Sequence, residues 1–109
     1  MRVELVEVIP LSIPLRDPFE TSFGRFTKRE VLLVRVVGDG VETYSECPVF
    51  GPFYSYETPT TARHVILDYI APSILGRELK GPDGFQRAVA PIRGHPMAKA
   101  AVEMALWDL

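Results

Sequence analysis

The side chains of this 109-residue sequence that could do chemistry are the imidazoles of His64 and His95, the thiol of Cys47, the carboxylate of Glu46 and the guanidinium of Arg35. The two histidines stand far apart in the chain and neither belongs to a metal-ligand spacing, so both read as structural groups, His64 on a helix flank and His95 at a helix start. Cys47 has nothing beside it that would activate a thiol; it reads as a small apolar packing group, and as the single cysteine it forms no internal disulfide. Glu46 stands at the end of a predicted strand, and carboxylates that open onto a loop are where sites gather, although a hydrogen bond or ion pair to a neighbouring loop is the plainer role. Arg35 lies inside Val31-Leu32-Leu33-Val34-Arg35-Val36-Val37 and must reach an edge or pair with a carboxylate, because an unpaired buried guanidinium costs roughly several kcal/mol. Gly38-Asp39-Gly40 is a turn signal rather than a phosphate cradle.

Two aromatic segments carry more information: Phe19-Glu20-Thr21-Ser22-Phe23-Gly24 and Phe50-Gly51-Pro52-Phe53-Tyr54. Each follows a predicted strand of one meander, so both can emerge at the same end of it. There the rings either cover a ligand or close the core of a small domain, and composition is compatible with both.

These segments need elements to hold them. From Val3 to Leu15 the odd positions read Val3, Leu5, Glu7, Ile9, Leu11, Ile13 and Leu15, an alternation that predicts a strand buried on that face. Pro10 and Pro14 then fall on the opposite face and place the strand at an edge or a bend. Arg16 to Thr27 reads as a loop, opened by Asp17-Pro18 and closed near Gly24. Glu30 to Val37 predicts a second strand, and the Asp-Gly pair after it predicts a hairpin to a third, Val41 to Cys47.

Thr58-Pro59 then resembles an N-cap with proline at the first helical position, opening a helix that runs to Pro72. Asp83 is placed to cap a short helix from Gly84 to about Ala90, and Pro96 to open a last one. In that last helix Ala98, Val102, Ala105 and Leu109 form one apolar row, and Met97, Ala101 and Met104 another. The sequence stops on this stripe without a stop signal, which we read as truncation of a longer protein.

The predicted fold class is therefore α+β, a three-stranded antiparallel β-meander followed by a helical bundle, in one domain over residues 1–109. Apolar residues at 47% and charged residues at 24% fit a soluble globular domain, with no disordered tract. A net charge of -2 offers nothing to a phosphate backbone or anionic lipid, and no segment has the length of a membrane helix, so neither nucleic acid nor membrane is an expected partner. With no signal-peptide core, the default location is cytoplasmic.

The segments Pro18-Phe19-Glu20-Thr21-Ser22-Phe23-Gly24, Glu46-Cys47, Pro52-Phe53-Tyr54-Ser55-Tyr56-Glu57 and Gly94-His95-Pro96-Met97-Ala98-Lys99-Ala100-Ala101-Val102-Glu103-Met104-Ala105-Leu106-Trp107-Asp108-Leu109 have the order and spacing of a known family. Together they resemble the N-terminal capping domain of the o-succinylbenzoate synthase and N-acylamino acid racemase family, within the enolase superfamily. The resemblance covers essentially the whole chain. It departs at Thr43-Tyr44-Ser45, where the family has a glycine-rich stretch before the strand-end glutamate.

The resemblance implies a cap over the mouth of a (β/α)8-type barrel that is absent from this sequence. The barrel holds the metal ligands and the proton-transferring lysines, and Mg²⁺ there stabilises an enediolate formed by proton abstraction next to a carboxylate. Lys28, Lys80 and Lys99 are not those lysines. For this chain the resemblance implies no catalytic residue, no metal ligand and no bound cofactor, and a fragment inactive alone. It implies substrate contacts at Phe19 and Phe23 in a closing loop, at Thr21 and Ser22 as hydrogen-bonding groups, and at Phe50 and Tyr54 in the second segment. The expected partners are a small-molecule carboxylate substrate, the protein's own C-terminal barrel and, through the apolar stripe, further copies as a homo-oligomer. The parent is expected to be a lyase of menaquinone biosynthesis or an isomerase racemising N-acylated amino acids. A muconate cycloisomerase or dipeptide epimerase cap, or a stand-alone α+β binding module, is the alternative.

Overall fold

The computed structural model describes residues 2–21, 24–47 and 57–107, with backbone alone for Ile13, 15–21 and 24–30. Three stretches form the strands β1 (Val3–Thr21), β2 (Gly24–Gly38) and β3 (Val41–Cys47), joined in one antiparallel sheet of order β1-β2-β3. The β2–β3 connection is the predicted two-residue turn. Asp39 and Gly40 have φ of 51° and 77°, the paired left-handed geometry whose twist matches the strands it joins.

β1 differs from its predicted reading in two ways. Its register on β2 shifts between Val3 and Leu5, and this extra residue inverts the alternation. Val3, Val6 and Val8 are buried, whereas Leu5 and Leu11 are 39% and 41% exposed, so Leu5, Glu7 and Leu11 face outward and Pro10 and Pro14 share the parity of the helix-facing residues. The second difference lies at 16–27, which is strand rather than loop. After a further shift between Pro14 and Phe19 the ladder resumes with Phe19 opposite Phe26, Glu20 opposite Arg25 and Thr21 opposite Gly24. The turn chemistry of Asp17-Pro18 is absorbed by that irregularity instead of ending the strand. As predicted, the proline-bearing strand is at an edge, where one side of the strand has no ladder to complete.

Helix α1 (Pro59–Val65) begins at a reciprocal cap: the Thr61 N–H donates to Thr58 Oγ1 at 3.1 Å, and the Thr58 N–H donates to Thr61 Oγ1 at 2.8 Å. The chain does not stop at Pro72. A π-helical turn over Ile66–Ile70 precedes α2 (Ala71–Ile74), and the wider turn lets the helix carry a proline whose ring would otherwise meet the carbonyl four residues back. Helix α3 (Gly81–Val89) starts earlier than predicted, with Asp83 in its first turn rather than at its cap. Helix α4 (Pro96–Trp107) starts at Pro96 as predicted.

The core lies between one sheet face and the helices, with Val6, Val34 and Val36 from the sheet meeting Ile66, Ile70, Phe85 and Val102. Of the two predicted rows on α4, Ala98, Ala101, Val102 and Ala105 are buried, but Met104 is 57% exposed and belongs to the outer surface. Three alanines on the buried face let α4 approach β3 closely. The inward side chains of β3 then reach its carbonyls: Thr43 Oγ1 donates to Ala105 O at 2.6 Å, Ser45 Oγ donates to Ala101 O, and Cys47 Sγ lies 3.7 Å from Met97 O. Two residues along the strand correspond to four along the helix.

Candidate functional site

β3 ends at Cys47, which pairs with Leu32, and Leu32 in turn pairs with Pro10 on β1. Beyond that level β1 and β2 run on without β3. β3 therefore ends on the side of the sheet from which the β1–β2 arm extends; the predicted meeting of the two aromatic segments lies outside the described residues. Phe19 and Thr21 sit in the arm, in register with Phe26 and Gly24. Ser22, Phe23, Phe50 and Tyr54 lie outside the described residues.

The second segment is bracketed by two buried residues that meet at the start of α4. Pro96 has no N–H, and His95 before it has a left-handed φ of 54°. The Met97 N–H donates to Glu57 Oε2 at 2.9 Å and the Ala98 N–H to Glu57 Oε1 at 3.0 Å, while the Lys99 N–H reaches His95 O at 3.1 Å. Every free donor of the first turn thus has an acceptor. Glu57 is 3% exposed, and its carboxylate is held by two backbone N–H groups at the positive end of a helix. Sequence reasoning passed over Glu57 because it lies 40 residues from Met97. The available signal was a lack: Gly94-His95-Pro96 opens a helix without Ser, Thr, Asp or Asn at the cap, which demands an acceptor from elsewhere.

Cys47 and Arg35 take the plainer roles predicted for them. Burial, and then the nearby Glu57 charge, push the Cys47 thiol up to about 11, so it is a protonated packing group at neutral pH. Arg35 faces outward and pairs with Glu42 at 2.7 Å and Glu7 at 3.8 Å, its pKa raised chiefly by the Glu42 hydrogen bond. Glu46 is exposed. His64 Nδ1 is 2.7 Å from Asp68 Oδ2, one turn along, with both side chains more than half exposed, and its ring meets Tyr69 edge-on at 5.5 Å. This pair borders a groove of about 450 Å³ formed with Pro10, Leu32 and Pro59. Among the described residues no three His, Cys, Asp or Glu side chains are placed to hold a metal ion, and no helix is long and apolar enough to cross a membrane.

Residues 3–109 match the family model of the mandelate racemase / muconate lactonizing enzyme N-terminal domain. The chain is 46% identical, over its whole length, to N-succinylamino acid racemase of Thermus thermophilus and 40% identical to o-succinylbenzoate synthase of Geobacillus stearothermophilus. Among solved structures, an enolase-superfamily member from Listeria innocua superposes over 99% of the chain with a TM-score of 0.90 at 32% identity. In each case the chain spans 30% of the relative's length.

Proposed function

Because this chain belongs to the family of mandelate racemase / muconate lactonizing enzyme N-terminal domains, we propose that it is the substrate-specificity cap of an o-succinylbenzoate synthase or N-acylamino acid racemase. The observation that carries this reading is 46% identity across the whole chain to a protein named for racemising N-succinylamino acids, with 40% to one named for making o-succinylbenzoate. In the longer protein, a C-terminal barrel abstracts the proton next to the substrate carboxylate, leading to loss of water in one reaction and to racemisation in the other. In this reading Mg²⁺ belongs to the barrel of the longer protein, where it would stabilise the enediolate.

The cap's part is to shape and close the site. The β1–β2 arm brings Phe19 and Phe23, with Thr21 and Ser22 as hydrogen-bonding groups; the stretch between Cys47 and Glu57 brings Phe50 and Tyr54. The end of β3 at Cys47 lies on the side from which the arm extends, which supports their acting on one ligand. Apolar rings at that mouth exclude water and orient the acyl or side-chain portion of a small carboxylate substrate. The protein works in the cytoplasm as a homo-oligomer, without nucleic acid or membrane as partner.

The test is to assay the full-length protein, with Mg²⁺, for dehydration to o-succinylbenzoate, racemisation of N-succinylamino acids and cycloisomerisation of muconate. Turnover in either of the first two reactions is expected, and this 109-residue chain alone is expected to give none. Muconate turnover with neither of the others would replace this reading with the cycloisomerase branch.

A further inference from the structure

Thr61, Val65, Tyr69 and Ser73 recur every four residues along α1, the π-helical turn and α2. Four residues overshoot an α-helical turn of about 3.6 and fall short of the wider π-turn, so the two drifts offset and the row keeps to one wall. The other wall is the α3–α4 connection at Pro91, Ile92 and Arg93. The groove between them has a volume of about 610 Å³, within the roughly 300–1,000 Å³ usual for small-ligand sites. That second wall is held at Ile92, whose N–H donates to Val89 O at 2.9 Å and whose carbonyl accepts from Lys99 Nζ.

Most polar groups of the groove are already engaged. Thr61 Oγ1 donates to Thr58 O at 3.2 Å, Ser73 Oγ donates to Tyr69 O at 2.7 Å, and His64 Nδ1 lies 2.7 Å from Asp68 Oδ2. His95, at the end of the groove, has a partner of its own. Asp68 borders the adjoining groove, and no carboxylate lines this one. Two donors are left over. Arg93 is exposed and makes no ion pair among the described residues, and the Tyr69 hydroxyl, on a side chain 55% exposed, makes no hydrogen bond among them. The rest of the lining is apolar: Val65, Pro91, Ile92 and the ring of Tyr69, braced edge-on by His64 at 5.5 Å.

From this arrangement we infer that the groove between the α1–α2 row and the α3–α4 connection is a binding site for a small aromatic carboxylate. The carboxylate pairs with the Arg93 guanidinium, whose planar fork matches both oxygens at once, and the ring of the ligand lies on Val65 and Ile92 beside Tyr69. Both parts of the ligand are needed. An inorganic anion leaves the apolar lining in water, and a neutral ring forgoes the charge-assisted bonds to Arg93.

The experiment uses the full-length protein with isotope-labelled tyrosine rings, followed by NMR, and para-fluorobenzoate as the probe. The Tyr69 signal is identified as the one missing from Tyr69→Phe. It reports on the groove itself, so probe bound elsewhere in the longer protein does not set its midpoint. A saturable shift of this signal is expected. Arg93→Glu is expected to raise the half-saturating concentration about tenfold or more, and Arg87→Glu to leave it within about twofold. Arg87 is the control because it is exposed on α3 outside the groove and undergoes the same change of charge. Inorganic phosphate in excess is expected to leave the probe in place. A Tyr69 signal that does not shift saturably overturns the site, and equal midpoints in Arg93→Glu and Arg87→Glu overturn it as well, since the carboxylate then has no anchor. Displacement of the probe by phosphate overturns the aromatic class of ligand. Should Arg93→Glu yield no folded protein, Arg93→Gln, which removes the charge at similar length, decides between the same outcomes.

Discussion

Thr43 Oγ1 donates to the carbonyl oxygen of Ala105 across 2.6 Å, joining the middle of β3 to the last turns of α4. The bond is possible because Ala105 has no side chain beyond Cβ to hold strand and helix apart, and Ala105 is fully buried. Thr43→Val, which keeps the shape and removes the donor, is expected to cost about 1 kcal/mol. Ala105→Leu, which wedges the two elements open, is expected to cost more, about 1–3 kcal/mol. Urea unfolding of the two variants compares them directly; equal or reversed costs would show that close approach is not what the contact depends on.

Glu57→Ala strips the first turn of α4 of two acceptors at once. Cap removals and unsatisfied buried donors each cost about 1–2 kcal/mol, so a loss of about 2–3 kcal/mol is expected, with Glu57→Gln near half of that. A thermal or denaturant midpoint within error of the parent for Glu57→Ala would mean that water replaces the carboxylate fully.

The Cys47 thiol gives a pH dependence with a definite sign. Its ordinary value is 9.0, and in the folded protein it is pushed up to about 11. Below pH 9 the thiol is protonated in both states and its contribution to stability is complete. As pH rises from 9 to 11 the unfolded chain releases the proton and the folded one does not, so stability falls across that window by at most about 2–3 kcal/mol. Cys47→Ala should flatten this part of the stability curve. Alkylation of Cys47 at pH 8 should likewise proceed only as fast as the protein opens; prompt modification by iodoacetamide in native buffer would contradict its burial.

For the arm, Phe19→Ala or Phe23→Ala in the full-length enzyme is expected to lower kcat/KM about tenfold or more, with the unfolding midpoint nearly unchanged. Kinetics identical to the parent in both variants would remove the arm from substrate closure.

The parts of this fold written in local chemistry could be read from the sequence. Asp39-Gly40 specifies its own turn, Thr58-Pro59 its own helix start, and the apolar runs their own strands. What escaped reading depends on partners distant in the chain. A single extra residue between Val3 and Leu5 exchanges the two faces of β1, and no periodicity within β1 announces it. Asp17-Pro18 carries turn residues, yet the pairing of Phe19 with Phe26 extends the strands past them. The candidate site divides the same way. The aromatic segments are conspicuous as composition, while Glu57 becomes visible only when α4 is brought beside it.

The contacts of β3 with α4 have the character of a vernier scale. Two strand residues advance about 6.6–6.8 Å and four helix residues about 6.0 Å, so the rungs drift apart by about 0.7 Å at each step. Graduations that almost coincide can agree over a short span only, which sets a natural limit of about three rungs. The scale also resists misreading. Sliding the strand by two residues against the helix by four nearly reproduces the spacing, but it moves an oxygen onto a rung where sulfur, with its longer reach, spans 3.7 Å. The order threonine, serine, cysteine thereby marks one alignment of β3 on α4 out of a set that spacing alone would leave almost equivalent.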